Sequence, residues 1–186
     1  MTTTDHLPAQ RTRRTVLGRA AASAVAAAAL AVTVQSSPAH AADSAQFRIT
    51  NLAVGKCLEV ADWRIDDGAP IRMWSCTSGN NQDWYWTDRD ELVNVRSGKC
   101  LDIPGLSTDQ GVQAVLWTCN GGRNQAWSDA NRLHSGSRTI VNLNSGLNLD
   151  VKGANPADGT AVIQWAPNNG YNQAWAYSPF PPGPHN

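Results

Sequence analysis

The sequence has little charge and no excess of either sign. Of its 186 residues 16% are charged, whereas soluble domains typically have about 25%. The 15 lysines and arginines balance the 15 aspartates and glutamates, and no basic block is present, which argues against a nucleic-acid-binding protein. Phenylalanine (2) and tyrosine (3) are scarce, so the eight tryptophans stand out. Tryptophan is common at recognition surfaces, and its placement is therefore the feature to explain.

Common catalytic and metal-binding motifs are also missing. The sequence has no Gly-x-Ser-x-Gly, no His-Glu-x-x-His and no Cys-x-x-Cys. Beyond residue 41 only His134 and His185 remain as histidines, and neither lies beside a nucleophile motif. The sequence therefore predicts no enzyme activity, no metal site and no cofactor.

Residues 1–41 have the features of an export signal. Four arginines between positions 11 and 19 precede a small, apolar run at 20–34, and Ala39-His40-Ala41 offers a cleavage site. The segment 12–17 resembles a twin-arginine motif. The apolar run is too short and too weakly apolar for a membrane anchor, which needs about 20 strongly apolar residues, and no later run is longer. We therefore predict a secreted, extracellular domain without a membrane span.

One sequence unit recurs three times after the leader. The stretch 92–102 aligns without gaps on 140–150, the same frame fits 49–59, and each unit ends in Asn-Gln-x-Trp. A unit of about 45 residues is too small to bury a core alone, so we expect three units to share one around a pseudo-threefold axis. The closing tryptophans, Trp84, Trp127 and Trp175, are predicted to lie in that core. The repeats span about 46–89, 90–130 and 131–178, and a proline-rich tail follows at 179–186.

The local pattern within each unit is that of short strands. Apolar runs such as 101–103 and 114–117 are separated by clusters of glycine, asparagine, aspartate and proline. No run after the leader shows a helical apolar period. Four strands per unit predict an all-β fold of about twelve strands.

Each repeat begins with a Gly-x-Cys-Leu-Asp-like segment, continues with a Trp-x-Cys-like segment and ends in Gln-x-Trp. This combination resembles the ricin B-chain type lectin domains, which overlap with family-thirteen carbohydrate-binding modules, in their secreted bacterial form. The resemblance covers about 46–178 and implies a β-trefoil domain over 42–178, with a six-stranded barrel capped by three hairpins. It also implies a non-catalytic glycan-binding protein, which we expect to be a monomer.

The resemblance also implies where sugars bind. A sugar ring needs an aromatic platform for its C–H face and polar groups for its hydroxyls. In ricin-type lectins the Asp after the Cys-Leu pair accepts hydroxyls, the aromatic of the Trp-x-Cys segment stacks on the ring, and the Asn-Gln pair completes the polar contacts. The matching residues are Asp102, Trp117, Asn124 and Gln125 in repeat two, Asp150, Trp165, Asn172 and Gln173 in repeat three, and Glu59, Trp74, Asn81 and Gln82 in repeat one.

This sequence departs from the family pattern in three ways. Glu59 is one methylene longer than aspartate and would push a ligand outward. A polar residue usual two positions before the aromatic is replaced by Val115 and Ile163 in repeats two and three, and the position holds Arg72 in repeat one. Gln164 stands where strand alternation expects an inward apolar residue, which predicts that Trp165 faces elsewhere. Repeat two is thus the best candidate.

Each candidate group also has a structural interpretation. The aspartates could stabilise turns, the Asn-Gln pairs could satisfy buried backbone groups, and the three platform tryptophans could serve packing. A glycosidase needs two carboxylates flanking one bond, whereas Glu59, Asp102 and Asp150 are related by the repeat and belong to three separate places. Trp63 and Trp86 have no counterpart in the aligned segments.

The four cysteines indicate two disulfides. The two cysteines of repeat one and of repeat two have the same spacing of 19, and in repeat three both are replaced together, by Asn148 and Pro167. Joint loss is expected if each pair bonds within its own repeat. We therefore predict Cys57–Cys76 and Cys100–Cys119, each contributing about 3 kcal/mol in the chain-entropy model.

The sequence as a whole favours a multivalent lectin that binds galactose-type or xylan-like glycans weakly. The alternative is a trefoil that binds a protein through its loops, for example a secreted hydrolase inhibitor. The apolar residues at 115 and 163 favour that alternative, because they remove a hydroxyl partner.

Overall fold

The computed structural model describes residues 45–129 and 136–179, which contain twelve short strands and six single turns of 3-10 helix. The strands are β1 Phe47–Asn51, β2 Cys57–Val60, β3 Ala69–Trp74, β4 Asp83–Trp86, β5 Leu92–Asn94, β6 Cys100–Asp102, β7 Val115–Trp117, β8 Trp127–Ser128, β9 Val141–Asn142, β10 Asn148–Val151, β11 Val162–Trp165 and β12 Trp175–Pro179. Within these ranges there is no helix long and apolar enough to cross a membrane. The predicted export signal, His134, His185 and the tail beyond 179 lie outside the described residues.

Six strands, two from each repeat, close into a barrel. Antiparallel ladders join β12 to β1, β1 to β4, β4 to β5, and β8 to β9. A bridge between Glu91 and Ala126 links the β5 and β8 segments, and one between Arg138 and Trp175 links the segment before β9 to β12. The ring is therefore continuous, as the six-stranded barrel of a β-trefoil requires.

The other six strands form three hairpins that meet at one end. They are β2–β3, β6–β7 and β10–β11. β3 pairs with β7 through Ala69 and Leu116, and bridges join Arg72 to Ala161 and Gln113 to Ile163. The predicted all-β trefoil of twelve strands is confirmed.

The core contains the tryptophan that closes each repeat. Trp84, Trp127 and Trp175 are at most 1% exposed, and their indole N–H groups donate to the backbone oxygens of Leu58, Leu101 and Leu149, respectively, at 3.0–3.1 Å. A buried indole N–H needs such a partner. The predicted core role of these tryptophans is confirmed.

Both predicted disulfides are present, Cys57–Cys76 and Cys100–Cys119. In repeat three the position of the first cysteine is held by Asn148, whose Nδ2 donates to Oε1 of Gln173 at 2.8 Å. Position 148 is thus joined to Gln173 by a hydrogen bond, whereas the matching cysteines of the other two repeats form disulfides.

Candidate functional site

A cavity lies beside the hairpin of each repeat. The cavity volumes are about 480 Å³ in repeat one, 420 Å³ in repeat two and 610 Å³ in repeat three. Each is lined by the predicted acidic residue and the predicted aromatic of its own repeat, which the fold therefore brings together. The acidic residues and tryptophans are Glu59 and Trp74, Asp102 and Trp117, and Asp150 and Trp165.

In repeat two the carboxylate of Asp102 is held through only one of its two oxygens. Its Oδ2 accepts from Nδ2 of Asn124 at 2.9 Å and from Nε2 of Gln125 at 2.8 Å, and the residue is only 2% exposed. Among the described residues Oδ1 has no donor. The arrangement fixes the carboxylate and leaves one oxygen able to accept a hydrogen bond from a ligand.

Repeat three has the same arrangement. Oδ2 of Asp150 accepts from Nδ2 of Asn172 at 2.7 Å and from Nε2 of Gln173 at 2.8 Å, and no described residue donates to Oδ1. Burial raises the pKa of both Asp102 and Asp150 above the usual aspartate range, and the amide donors counter only part of that rise.

The glutamines position the carboxylates. Gln82, Gln125 and Gln173 are fully buried, and each also donates to the backbone oxygen of the residue after the platform tryptophan, at 2.9–3.0 Å. A fully buried amide presents no surface to a ligand. We therefore assign the glutamines a positioning role in place of the sugar contact that the resemblance implies. The amide of each glutamine thus both satisfies a buried backbone oxygen and holds the carboxylate.

The platform tryptophans of repeats two and three face their cavities. Trp117 is 41% exposed and Trp165 is 42% exposed. The expectation that Trp165 faces elsewhere is wrong. Gln164 is fully buried, and its Nε2 donates to the backbone oxygens of Ser107 and Asp109 at 3.0 and 2.8 Å. Because its polar atoms are satisfied, this side chain occupies an inward position and strand alternation holds.

A side chain from the neighbouring repeat fixes each platform. Asp67 accepts from the backbone N–H of Thr118 at 2.8 Å, and Asp158 does the same for Ser75 at 2.7 Å. Hydrogen bonds from Lys99 and Lys56 lower the pKa values of these two carboxyls. In repeat three Oε1 of Gln110 accepts a hydrogen bond from the backbone N–H of Ala166 at 3.2 Å. The strand end that carries each platform is thus tied to another repeat.

Repeat one is different because Arg72 lies in its cavity. Its Nε and Nη2 donate to Oε1 of Glu59 at 3.1 and 2.9 Å, and its Nη1 lies 3.0 Å from Oδ1 of Asp62. Its Cζ lies 4.1 Å from the ring centroid of Trp74, a distance typical of a cation–π contact. The other carboxylate oxygen accepts from Nε2 of Gln82 at 2.7 Å. The guanidinium therefore occupies both the oxygen and the ring face that stay open in the other repeats.

The alignment of the three repeats did not identify Trp63 as part of the repeat-one cavity. Trp63, Leu106 and Ala154 occupy the same place in the 3-10 turn after the Cys-Leu segment, each with a positive φ of 49–58°. Trp63 and Leu106 line the cavities of their repeats. Extending the gapless alignment by four residues pairs these positions, so the signal was present in the sequence. Trp86 lies two residues beyond the core tryptophan of repeat one and packs, partly buried, against the core.

Comparison with known proteins agrees with this architecture. A family model for the ricin-type beta-trefoil lectin domain matches residues 45–178. ThreeFoil, a designed threefold symmetric protein, is 33% identical, with a TM-score of 0.70 over 73% of this chain and 99% of its own.

Two further structures extend the comparison. An exo-beta-1,3-galactanase from Clostridium thermocellum is 31% identical with a TM-score of 0.71; the match covers 75% of this chain and only 31% of that one. The C-half of the earthworm R-type lectin, solved with GalNAc, shares the fold at 20% identity, with a TM-score of 0.62 over 73% of this chain and 99% of its own.

Proposed function

This chain belongs to the ricin-type beta-trefoil lectin domain family, and from that membership we propose that it is a secreted, non-catalytic lectin with sugar sites in repeats two and three. Membership itself supports a carbohydrate-binding role. The choice of two repeats, the sugar class and the location outside the cell are our proposals. As ligands we propose galactose-type or xylan-like glycans.

One observation carries the proposal: a half-satisfied carboxylate lies in the same cavity as an exposed indole. In repeat two the pair is Asp102 and Trp117, and in repeat three it is Asp150 and Trp165. The indole offers a face for the C–H groups of a sugar ring, and the free Oδ1 accepts a hydroxyl at its rim. Because few groups are desolvated in such a shallow cavity, we expect a dissociation constant of about 0.1–1 mM per site.

Two sites on one rigid body support binding of polymeric glycans. Linking two weak binding events raises the apparent affinity without any new contact, provided that both sites reach the same polymer. We propose that this avidity compensates for the weakness of the single sites.

The arrangement of the carboxylates supports a non-catalytic role. Glycoside hydrolysis requires two carboxyl groups on either side of one bond. Asp102 and Asp150 line separate cavities, and each is the acidic residue of its own cavity. Export is supported by the leader-like sequence of residues 1–41 and by the two disulfides, which suit an oxidising compartment.

The direct test of sugar binding is a glycan array containing galactosides and xylans. Wild-type protein is expected to bind one of these classes, and Asp102→Ala and Trp117→Ala are each expected to weaken the signal. If the wild-type protein binds no glycan, or if both variants bind unchanged, the proposal is wrong. Failure of wild-type binding would favour the protein-interaction alternative.

Acid is expected to abolish binding before it unfolds the protein. Raised pKa values mean that Asp102 and Asp150 take up protons above the usual aspartate range of about 3.9, and a protonated oxygen is a poorer acceptor. Affinity should therefore fall as pH drops through these raised values. The stability due to Asp67 and Asp158, whose pKa values are lowered, is present above the ordinary range and lost only as pH falls through the lowered values.

Sugar titrations over a pH series, with circular dichroism at each pH, measure this window. We expect a range of reversible binding loss with an unchanged spectrum. Binding that persists down to the pH of unfolding would contradict the proposed role of the carboxylates.

Arg72→Val is expected to open a third site. The substitution introduces the type of residue found in repeat two, frees Oε1 of Glu59 and uncovers the ring of Trp74. The measurement is the number of indole N–H signals that shift with sugar in a ¹⁵N spectrum, which should rise by the signal of Trp74. The matched reverse variant, Val115→Arg, should remove the shift of the Trp117 signal with sugar. A wild-type Trp74 signal that already shifts with sugar would contradict the closure of repeat one.

A further inference from the structure

The two open cavities differ in their walls. The 3-10 turn beside the cavity is Pro104–Leu106 in repeat two and Lys152–Ala154 in repeat three. Lysine therefore replaces proline at its first position, and alanine replaces leucine at its third. The cavity of repeat three, about 610 Å³, is larger than that of repeat two, about 420 Å³. Repeat three thus combines more room with a cationic side chain at its edge.

Lys152 is the unpaired lysine of the described chain. Of the other two lysines, Lys56 pairs with Asp158 and Lys99 pairs with Asp67. Lys152 is exposed and lines the cavity, and none of its contacts within the described residues is a hydrogen bond or ion pair from its ammonium group. In repeat one the guanidinium of Arg72 pairs with two carboxylates. In repeat three the ammonium of Lys152 is free to contact a ligand.

The local charges favour different ligands in the two repeats. The cavity of repeat two contains the carboxylate of Asp102 and no cation, with Leu106 as an apolar wall. An anionic sugar placed there would find no cationic partner among the lining residues. In repeat three Lys152 lines the same cavity as Asp150, and its ammonium offers a partner to an anion at the rim of the sugar.

We propose that the repeat-three site selects sugars that carry a carboxylate, the uronic acids, while the repeat-two site prefers neutral sugars. This inference rests on the proposed function, since it places the sugar ring on Trp165 and one hydroxyl on Oδ1 of Asp150. The carboxylate of the sugar then pairs with Nζ of Lys152. A chain with both sites would bind most strongly to polysaccharides that contain neutral and acidic residues together.

Two probes that differ in one group test this proposal: methyl galactoside, with a hydroxymethyl group at C6, and methyl galacturonide, with a carboxylate there. Each is titrated into ¹⁵N-labelled full chain while the indole N–H signals of Trp117 and Trp165 are followed separately. An exposed ion pair contributes about a two- to fivefold change in affinity. We expect the Trp165 signal to report that preference for the uronide at low salt and to lose it at high salt. The Trp117 signal should favour the galactoside.

Substitutions identify the group responsible. Lys152→Gln removes the ammonium, leaves a polar side chain one atom shorter, and should abolish the preference for the uronide at Trp165. Pro104→Lys should create a preference for the uronide at Trp117. Equal affinity of the two probes at Trp165, or an unchanged preference in Lys152→Gln, would overturn the inference while leaving the proposed function intact. If neither probe nor its xylo- and glucuronide analogues shift either indole, the proposed function fails and the inference fails with it.

Discussion

Trp127→Ala is expected to destabilise the fold by about 3–5 kcal/mol, the range measured for removing a large aromatic from a core. Its ring is 1% exposed and its Nε1 donates to the backbone oxygen of Leu101 at 3.0 Å. The variant loses buried apolar surface and leaves that oxygen without its partner. Because small domains have total stabilities of about 5–15 kcal/mol, much of the margin would be lost. Denaturant unfolding followed by circular dichroism measures the change.

Trp117→Ala, in the same repeat, is the matched comparison. Its ring is 41% exposed, so we expect a smaller loss of stability than for Trp127→Ala, together with loss of sugar binding in repeat two. The two tryptophans thus separate stability from binding. Similar destabilisation by both substitutions would contradict the division into core and platform.

The second large effect is expected from Asp102→Asn combined with Asp150→Asn. In each case the asparagine oxygen can replace Oδ2 as acceptor for the amide pair, so the fold is preserved. The amide nitrogen then takes the place of the free Oδ1, and the charged acceptor for the sugar hydroxyl is lost. Hydrogen bonds to charged groups contribute about 1.5–3 kcal/mol, which corresponds to about a 10- to 100-fold loss of affinity.

Isothermal titration with the best glycan from the array measures this loss. Asp88→Asn is the control, because Asp88 is exposed and lies outside the three cavities. A double variant that binds as tightly as this control would show that the aspartates have only the structural role that a turn residue would have.

The features that the sequence predicted correctly share a physical basis. The threefold recurrence of Gln-x-Trp and the joint loss of both cysteines in repeat three follow from rules that apply identically to every repeat. A trefoil buries the same position three times, so the pattern of Trp84, Trp127 and Trp175 is sufficient to identify the core. The disulfide pairing followed from the same symmetry.

The features that the sequence did not predict depend on contacts that break the symmetry. Arg72 closes its cavity because Glu59 and Asp62 both lie within reach, and Asp62 stands where the other repeats have glycine. Gln164 faces inward because a loop of repeat two presents two backbone oxygens to it. Such partners are distant in sequence and unique to one repeat. Strand alternation places Gln164 inward, but neither alternation nor the family pattern identifies the groups that satisfy its polar atoms.

Sugar titration of the wild-type chain, read at the individual tryptophan indole N–H signals, tests the central claim most directly. The claim is that the exposed indoles of repeats two and three are sugar platforms and that repeat one is closed. The account predicts that the signals of Trp117 and Trp165 shift with saturable concentration dependence, while those of Trp74 and Trp127 stay in place. Saturable shifts at Trp74, or none at Trp117 and Trp165 with a glycan that the protein binds, would contradict it.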